Sequence, residues 1–139
     1  MPITIRPAVA ADQPTIQRIV RAARINPTAI DWRRFLVAES DGVIVGIGQV
    51  KPHRDGSREL ASIATTPSHQ RHGVASQIIR ALIAREQGAL YLVCQQSLEN
   101  FYARFGFRRV ARNEMTPYFR LMHRTMRFWG GIVMKRSGE

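Results

Sequence analysis

The chain has a single cysteine, Cys94, among 139 residues. An internal disulfide is therefore excluded, and no cysteine cluster has the spacing of a zinc site. His69 and His72 lie three apart but lack a third ligand, so no metal is expected. Acid is scarce: Asp plus Glu is 10 against 21 for Lys plus Arg, a net charge of +11. Lysine is nearly missing too, at two residues, so the positive charge is almost all arginine. That balance fits nucleic acid, an anionic membrane surface or a phosphorylated small ligand. It equally fits a basic background with no specific partner. No apolar run approaches the ~18 residues of a membrane span. The opening MPITIRP lacks the charged-then-apolar pattern of a secretory signal, so a cytoplasmic location is expected. There is no repeat, no low-complexity tract and no Ser/Gly linker. The length suits one domain, residues 1–139, with a sizeable core.

What is present reads as alternating strands and helices. Ile3 and Ile5 alternate with polar neighbours ahead of Pro7, a short strand over 3–6. Asp12 resembles an N-cap, with Pro14 in the first turn. Ile16, Ile19, Val20 and Ala23 then recur at helical spacing, a helix over 12–24. Two β-rich runs, 34–39 and 43–51, flank Asp41-Gly42, a favoured hairpin turn. A second turn at 54–58 leads to a strand over 59–66, ended by Pro67. A helix opens at Gly73, with Gly88 as its stop. The run 89–94 is short and apolar, as in the middle of a sheet. A helix near 97–104, a strand near 107–112, a helix over 115–129 and a last strand, GIVMKR, complete an α/β plan with one mixed sheet.

Gly42, Gly46 and Gly48 offer a G-x-G, but Lys51 stands where the third glycine of a dinucleotide fingerprint belongs. The stretch also lies in a hairpin instead of opening a helix, so that reading fails. No G-x-x-x-x-G-K-[S/T] phosphate loop occurs. QRHGVA, residues 70–75, has the right context, between a strand and a helix. The first amides of a helix have no partners within it, and with the macrodipole they favour an anion. Gly73 would let a phosphate approach closely, Ala75 is small, and Arg71 and His72 can add charge.

These residues carry a resemblance. The segment 59–83 resembles motif A of the GNAT superfamily of N-acyltransferases, [Q/R]-x-x-G-x-[G/A], matched by Gln70, Gly73 and Ala75. Thr65-Thr66-Pro67 resembles the V-x-P that ends the family's fourth strand. ENFYARFGFRRV resembles its FY-x-x-x-GF segment, matched by Phe101, Tyr102, Gly106 and Phe107. The resemblance implies an α+β fold: a mixed, mostly antiparallel central sheet flanked by helices, with the fourth and fifth strands splayed. It implies acetyl-CoA as co-substrate, its pyrophosphate held by Gln70, Arg71, His72, Gly73, Val74 and Ala75. Backbone groups near Ile63 and Thr65 would hold the pantetheine arm. It also implies transfer of an acetyl group to a primary amine by direct attack in a ternary complex.

That chemistry needs a base for the amine proton, a donor for the developing oxyanion and a proton for the departing thiolate. Tyr102 lies where the family commonly places its acid. Glu59 opens the fourth strand, where several members carry a base. His53, at the end of the preceding strand, is its rival, since imidazole changes charge near neutral pH. Cys94 ends a buried strand and reads as core.

The segment 115–129 forms an amphipathic helix on a wheel of ~100° per residue. Tyr118, Met115, Met122, Met126, Trp129, Leu121 and Phe128 share one face, and Phe119 falls at its edge, ~100° from Tyr118. Arg120, His123, Arg124 and Arg127 share the other. The helix suits sheet packing, a wall of the acceptor pocket, an anionic membrane contact or a homodimer surface. A non-catalytic basic module of the same fold, contacting nucleic acid or membrane, is the rival reading. Nucleic acid is not expected, because aromatics are not interleaved along a basic strand face. The acceptor is a small-molecule or peptide amine of open identity, and the net charge disfavours a cationic one.

Overall fold

The computed structural model describes residues 2–138, apart from the Arg127 side chain. Seven strands form one sheet in the order β1-β2-β3-β4-β5-β7-β6. Two compact units are distinguished, Met1–Lys51 with Leu60–Arg85, and Pro52–Glu59 with Glu86–Glu139.

In the first unit, β1 (Thr4–Pro7) runs antiparallel to β2 (Phe35–Ser40), and β2 antiparallel to β3 (Val43–Pro52). Asp41 and Gly42 both have positive φ, 51° and 78°, the geometry that a two-residue hairpin turn demands. Helix α1 (Gln13–Ala23) lays Ile16, Ile19 and Val20 against Phe35, Val37 and Ile47. Asp12 does not cap α1 with its side chain. Its carboxylate instead meets Arg6 at 2.8 Å and accepts from the Val9 N–H at 2.8 Å. The local charge pair outcompetes the cap.

Helix α2 (Val74–Ala84) packs on β3 through the two glycines of the rejected fingerprint. A methyl on Gly48 would stand 2.7 Å from both Ile63 Cδ1 and Ile78 Cγ2, and one on Gly46 2.6 Å from Val74 Cγ1. These glycines serve close helix–strand approach, not a ligand. Helix α2 ends at Ala84, short of Gly88. Gly88 has a different use, because a methyl on Gly138 would stand 2.4 Å from its carbonyl carbon.

In the second unit, β5 (Leu90–Gln95) pairs antiparallel with β7 (Gly131–Arg136), Val93 opposite Val133. The short β6 (Arg108–Arg109) flanks β7. Strand β4 (Arg58–Thr65) pairs parallel with β5, Glu59 opposite Tyr91. Helix α3 (Glu99–Ala103) follows β5, and α4 (Pro117–Met126) precedes β7. Tyr91 stacks on Phe119, with ring centroids 4.7 Å apart, at the centre of a core that includes Met115, Met126 and Val133.

Helix α4 differs from its wheel. Its buried residues are Phe119 and Met126, with Met122 packed beside them and Met115, ahead of the helix, in the same cluster. Leu121, Phe128 and Trp129 are exposed. The helix stops at Met126 and a tighter turn follows, ending on left-handed Gly130 at φ 76°. A 100° advance therefore does not carry to Phe128 and Trp129. Arg127, placed on the basic face by the sequence, has its side chain outside the described residues. Among the described residues, no helix is long and apolar enough to cross a membrane.

Candidate functional site

The eight residues assigned to a phosphate and pantetheine site all fall in the first unit. Gln70, Arg71, His72 and Gly73 are exposed, and Val74 is buried. Val74 thus offers its N–H, not its side chain. Arg71 and Gly73 both take left-handed backbone, φ 69° and 78°. Gly73 is the N-cap of α2, no side chain caps the helix, and no acid stands in its first turn. The first intrahelical bond runs from Gln77 N–H to Gly73 O. The N–H groups of Val74, Ala75 and Ser76 precede it and point out of the helix end.

Two observations test whether an anionic ligand fits. A Cβ on Gly73 would meet nothing within 4 Å, so the approach is open. The Nε2 of His69 is buried without a partner, while its Nδ1 bonds Ser68 Oγ at 2.8 Å. An orphaned buried polar atom beside an uncapped helix start fits a ligand rich in acceptor oxygens. Gln70 ties this loop to β4, its Nε2 donating to Thr65 O at 3.3 Å. Ile63 turns its side chain toward Gly48 on the α2 face, so only its backbone is open to a ligand. Ser62, one residue earlier, is left-handed at φ 59°, an interruption in the strand.

The second unit brings the rival bases together. His53 Nε2 lies 2.8 Å from Glu59 Oε1, with the two side chains only 13% and 11% exposed. The two candidate bases thus stand in direct contact. Tyr118 stacks on His53 at a centroid distance of 3.6 Å, and Phe119 meets the same ring edge-on. Asp55, in the turn before β4, accepts from the Tyr118 N–H at 2.9 Å and from Ser57 N–H and Oγ. It caps the first turn of α4 from 63 residues away. Those hydrogen bonds, led by Ser57, hold the Asp55 carboxyl down at about 2. Burial, then the charges of Glu59 and Asp55, raises the Tyr118 phenol. The sequence pattern missed Tyr118 and Asp55. Helical periodicity marks Tyr118 as apolar-facing but cannot name the strand turn it meets.

Tyr102 lies on α3, between the rings of Phe101 and Phe107. No hydrogen bond of its hydroxyl, and none linking it to Glu59 or His53, occurs among the described residues. Burial, with the nearby Cys94, pushes its phenol up to about 12. It stays protonated throughout the working range and is a standing donor. Cys94 is buried, and burial first, then Glu99, pushes its thiol up to about 11. Its Sγ faces Met134 Sδ at 3.9 Å. It is a core residue. Among the described residues, no group of three or more His, Cys, Asp or Glu could hold a metal ion.

Residues 31–109, more than half of the chain, match the profile of an acetyltransferase (GNAT) domain. No curated protein matches in sequence. Several solved structures share the fold. N-acetylglutamate synthase from Neisseria gonorrhoeae, complexed with coenzyme A and N-acetyl-glutamate, superposes with a TM-score of 0.83 at 18% identity. All of this chain is covered, but only 36% of the synthase, so the chain spans about a third of that protein. Rv2747 from Mycobacterium tuberculosis, in complex with CoA and NLQ, gives 0.76 at 20% identity over 96% of this chain and 98% of its own. Ard1 from Thermoplasma volcanium gives 0.74 at 20% identity over 100% and 99%. The chain belongs to the GNAT family of acetyltransferases.

Proposed function

We propose that the chain is a cytoplasmic, single-domain N-acetyltransferase that moves an acetyl group from acetyl-CoA to a primary amine, by direct attack and without a metal. The observation that carries the reading is the shielded Glu59–His53 pair. An alkyl amine is mostly protonated at neutral pH, with a pKa near ~10, and an ammonium has no lone pair to attack with. The pair supplies the missing base. The imidazole nitrogen on Glu59 fixes the ring, and Tyr118 fixes its plane.

Acetyl-CoA, when bound, supplies a thioester carbonyl as electrophile. The N–H groups at the start of α2, with Arg71, His72 and His69 Nε2, hold its phosphates. Backbone groups of β4 near Ile63 and Thr65 orient the arm. As the C–N bond forms and the C–S bond breaks, the amine proton goes to Glu59–His53. Tyr102 donates a hydrogen bond to the sulfur. Its proton is held more tightly than a thiol of pKa ~8.5 would hold one, so Tyr102 stabilises the leaving thiolate without surrendering the proton.

Two measurements test this reading. CoA at a hundredfold excess over its Kd stabilises a binding protein by about 2.7 kcal/mol, read as a raised Tm. Thiol release from acetyl-CoA should then require an added amine. A chain whose Tm ignores CoA is not this enzyme.

A further inference from the structure

Gln49 is a neutral amide with no exposed surface, on a strand face otherwise given to Ile47 and Val45. Its partners explain why a polar group stands there. Its Nε2 donates to Ser62 Oγ at 2.9 Å and to Ala29 O at 3.2 Å. Its Oε1 accepts from Arg34 Nε at 3.2 Å, and Arg34 Nη2 donates to the same Ala29 carbonyl at 3.0 Å. Ala29 and Ser62 are both left-handed, each at φ 59°, although neither is glycine. Two strained backbone positions on one buried amide mark a constrained arrangement of the kind that gathers at ligand sites.

The loop between α1 and β2 has a second hold besides the Ala29 carbonyl. Gln13 supplies it, with Nε2 to Ile30 O at 2.7 Å and Oε1 from Trp32 N–H at 2.8 Å. Gln49 also fixes Arg34, through its Oε1. Among the described residues, no carboxylate lies within ion-pair reach of Arg34. The nearest acid in sequence, Asp31, feels the charge of Arg34, but its hydrogen bonds go to the Arg33 N–H and guanidinium. Arg34 uses Nε and one Nη2 proton on neutral oxygens. The Nη1–Nη2 edge remains, with the spacing that matches the two oxygens of a carboxylate. Ser62 accepts from Gln49, so its own O–H is free to donate elsewhere. It lies on β4 directly before Ile63, where the thioester arm is proposed to run.

We propose that the acceptor amine also carries a carboxylate, as a free amino acid does, and that Arg34, positioned by Gln49, binds it with help from Ser62. The proposal rests on the N-acetyltransferase reading and names its substrate class. It accords with a net charge that repels cationic amines.

The test is a thiol-release assay on the full chain with acetyl-CoA and matched trios: an amino acid, its primary amide and its decarboxylated amine. The free acid is expected to exceed the other two by tenfold or more in kcat/KM, as loss of a charged hydrogen-bonded partner entails. Arg34→Gln should raise KM for the acid by about tenfold, leave kcat within about threefold and bring the acid-to-amide ratio toward one. Arg34→Lys should restore part of the preference. A merely structural arginine would lower all three substrates together. Amides or decarboxylated amines used as well as the acids overturn this proposal and leave the transferase reading intact. Transfer to no trio at all overturns both. If Arg34→Gln does not fold, the wild-type ratio alone decides.

Discussion

Burial raises both the Tyr102 phenol, the proposed donor, and the Cys94 thiol. Tyr102→Phe keeps the ring between Phe101 and Phe107 and removes only the donor. Turnover should fall by about 10² while acetyl-CoA affinity holds. Turnover within threefold of wild type would make Tyr102 a packing residue. The raised phenol also has a stability sign. The unfolded chain ionises near pH 10, whereas the folded phenol keeps its proton to about 12. Tyr102 therefore costs stability as pH rises through that window, by an order of 2–3 kcal/mol at its top. Denaturant titration should find the alkaline loss smaller in Tyr102→Phe than in wild type. Cys94, held up near 11, is almost wholly thiol at pH 8. Iodoacetamide should label it only on unfolding. Labelling of native protein within minutes would contradict its assignment to the core.

At the scale of elements, α2 and α4 are placed by opposite means. Helix α2 sits close to β3 because Gly46 and Gly48 lack side chains. Gly48→Ala forces a methyl against Ile63 and Ile78 and should destabilise by about 1–3 kcal/mol. At the start of α2, Gly73→Asp adds a negative charge to the uncapped N–H groups and a side chain to a left-handed position. CoA affinity should drop about tenfold or more. Unchanged affinity in a folded variant would remove the phosphate seat. Helix α4 is held by a remote carboxylate, Asp55, whose contribution is complete above pH 3.8 and is lost as pH falls through about 2. The elements were largely legible from periodicity and turn chemistry, which are local. The boundaries that moved were set by contacts periodicity cannot see. Arg6 draws Asp12 away from capping, and the tight turn after Met126 rotates Phe128 and Trp129 out of the buried stripe.

For the whole molecule, the same division between local and remote applies to the chemistry. QRHGVA and the FY-x-x-x-GF segment were readable because each is a short run with a geometry of its own. The union of His53 with Glu59 was not, since a strand, a turn and a second strand must form before those side chains meet. Tyr118 and Asp55, 63 residues apart, were beyond any local pattern. Nor did composition single out Gln49, whose role depends on Ser62 of β4 and on Ala29 and Arg34 in the connection between α1 and β2. The central claim is that Glu59–His53 is the base of an acetyl transfer. Its most direct test is the pH–rate profile of Glu59→Gln beside wild type, with the preferred amine saturating. The variant keeps size and hydrogen bonding but has no basicity. Its rate should fall by about 10² at pH 7 and recover in part at pH 9–10, where the free amine becomes abundant. His53→Gln should give the same profile, and the double variant should be no worse than either single one. A wild-type profile in Glu59→Gln, or equal losses at pH 7 and pH 10, would contradict the account.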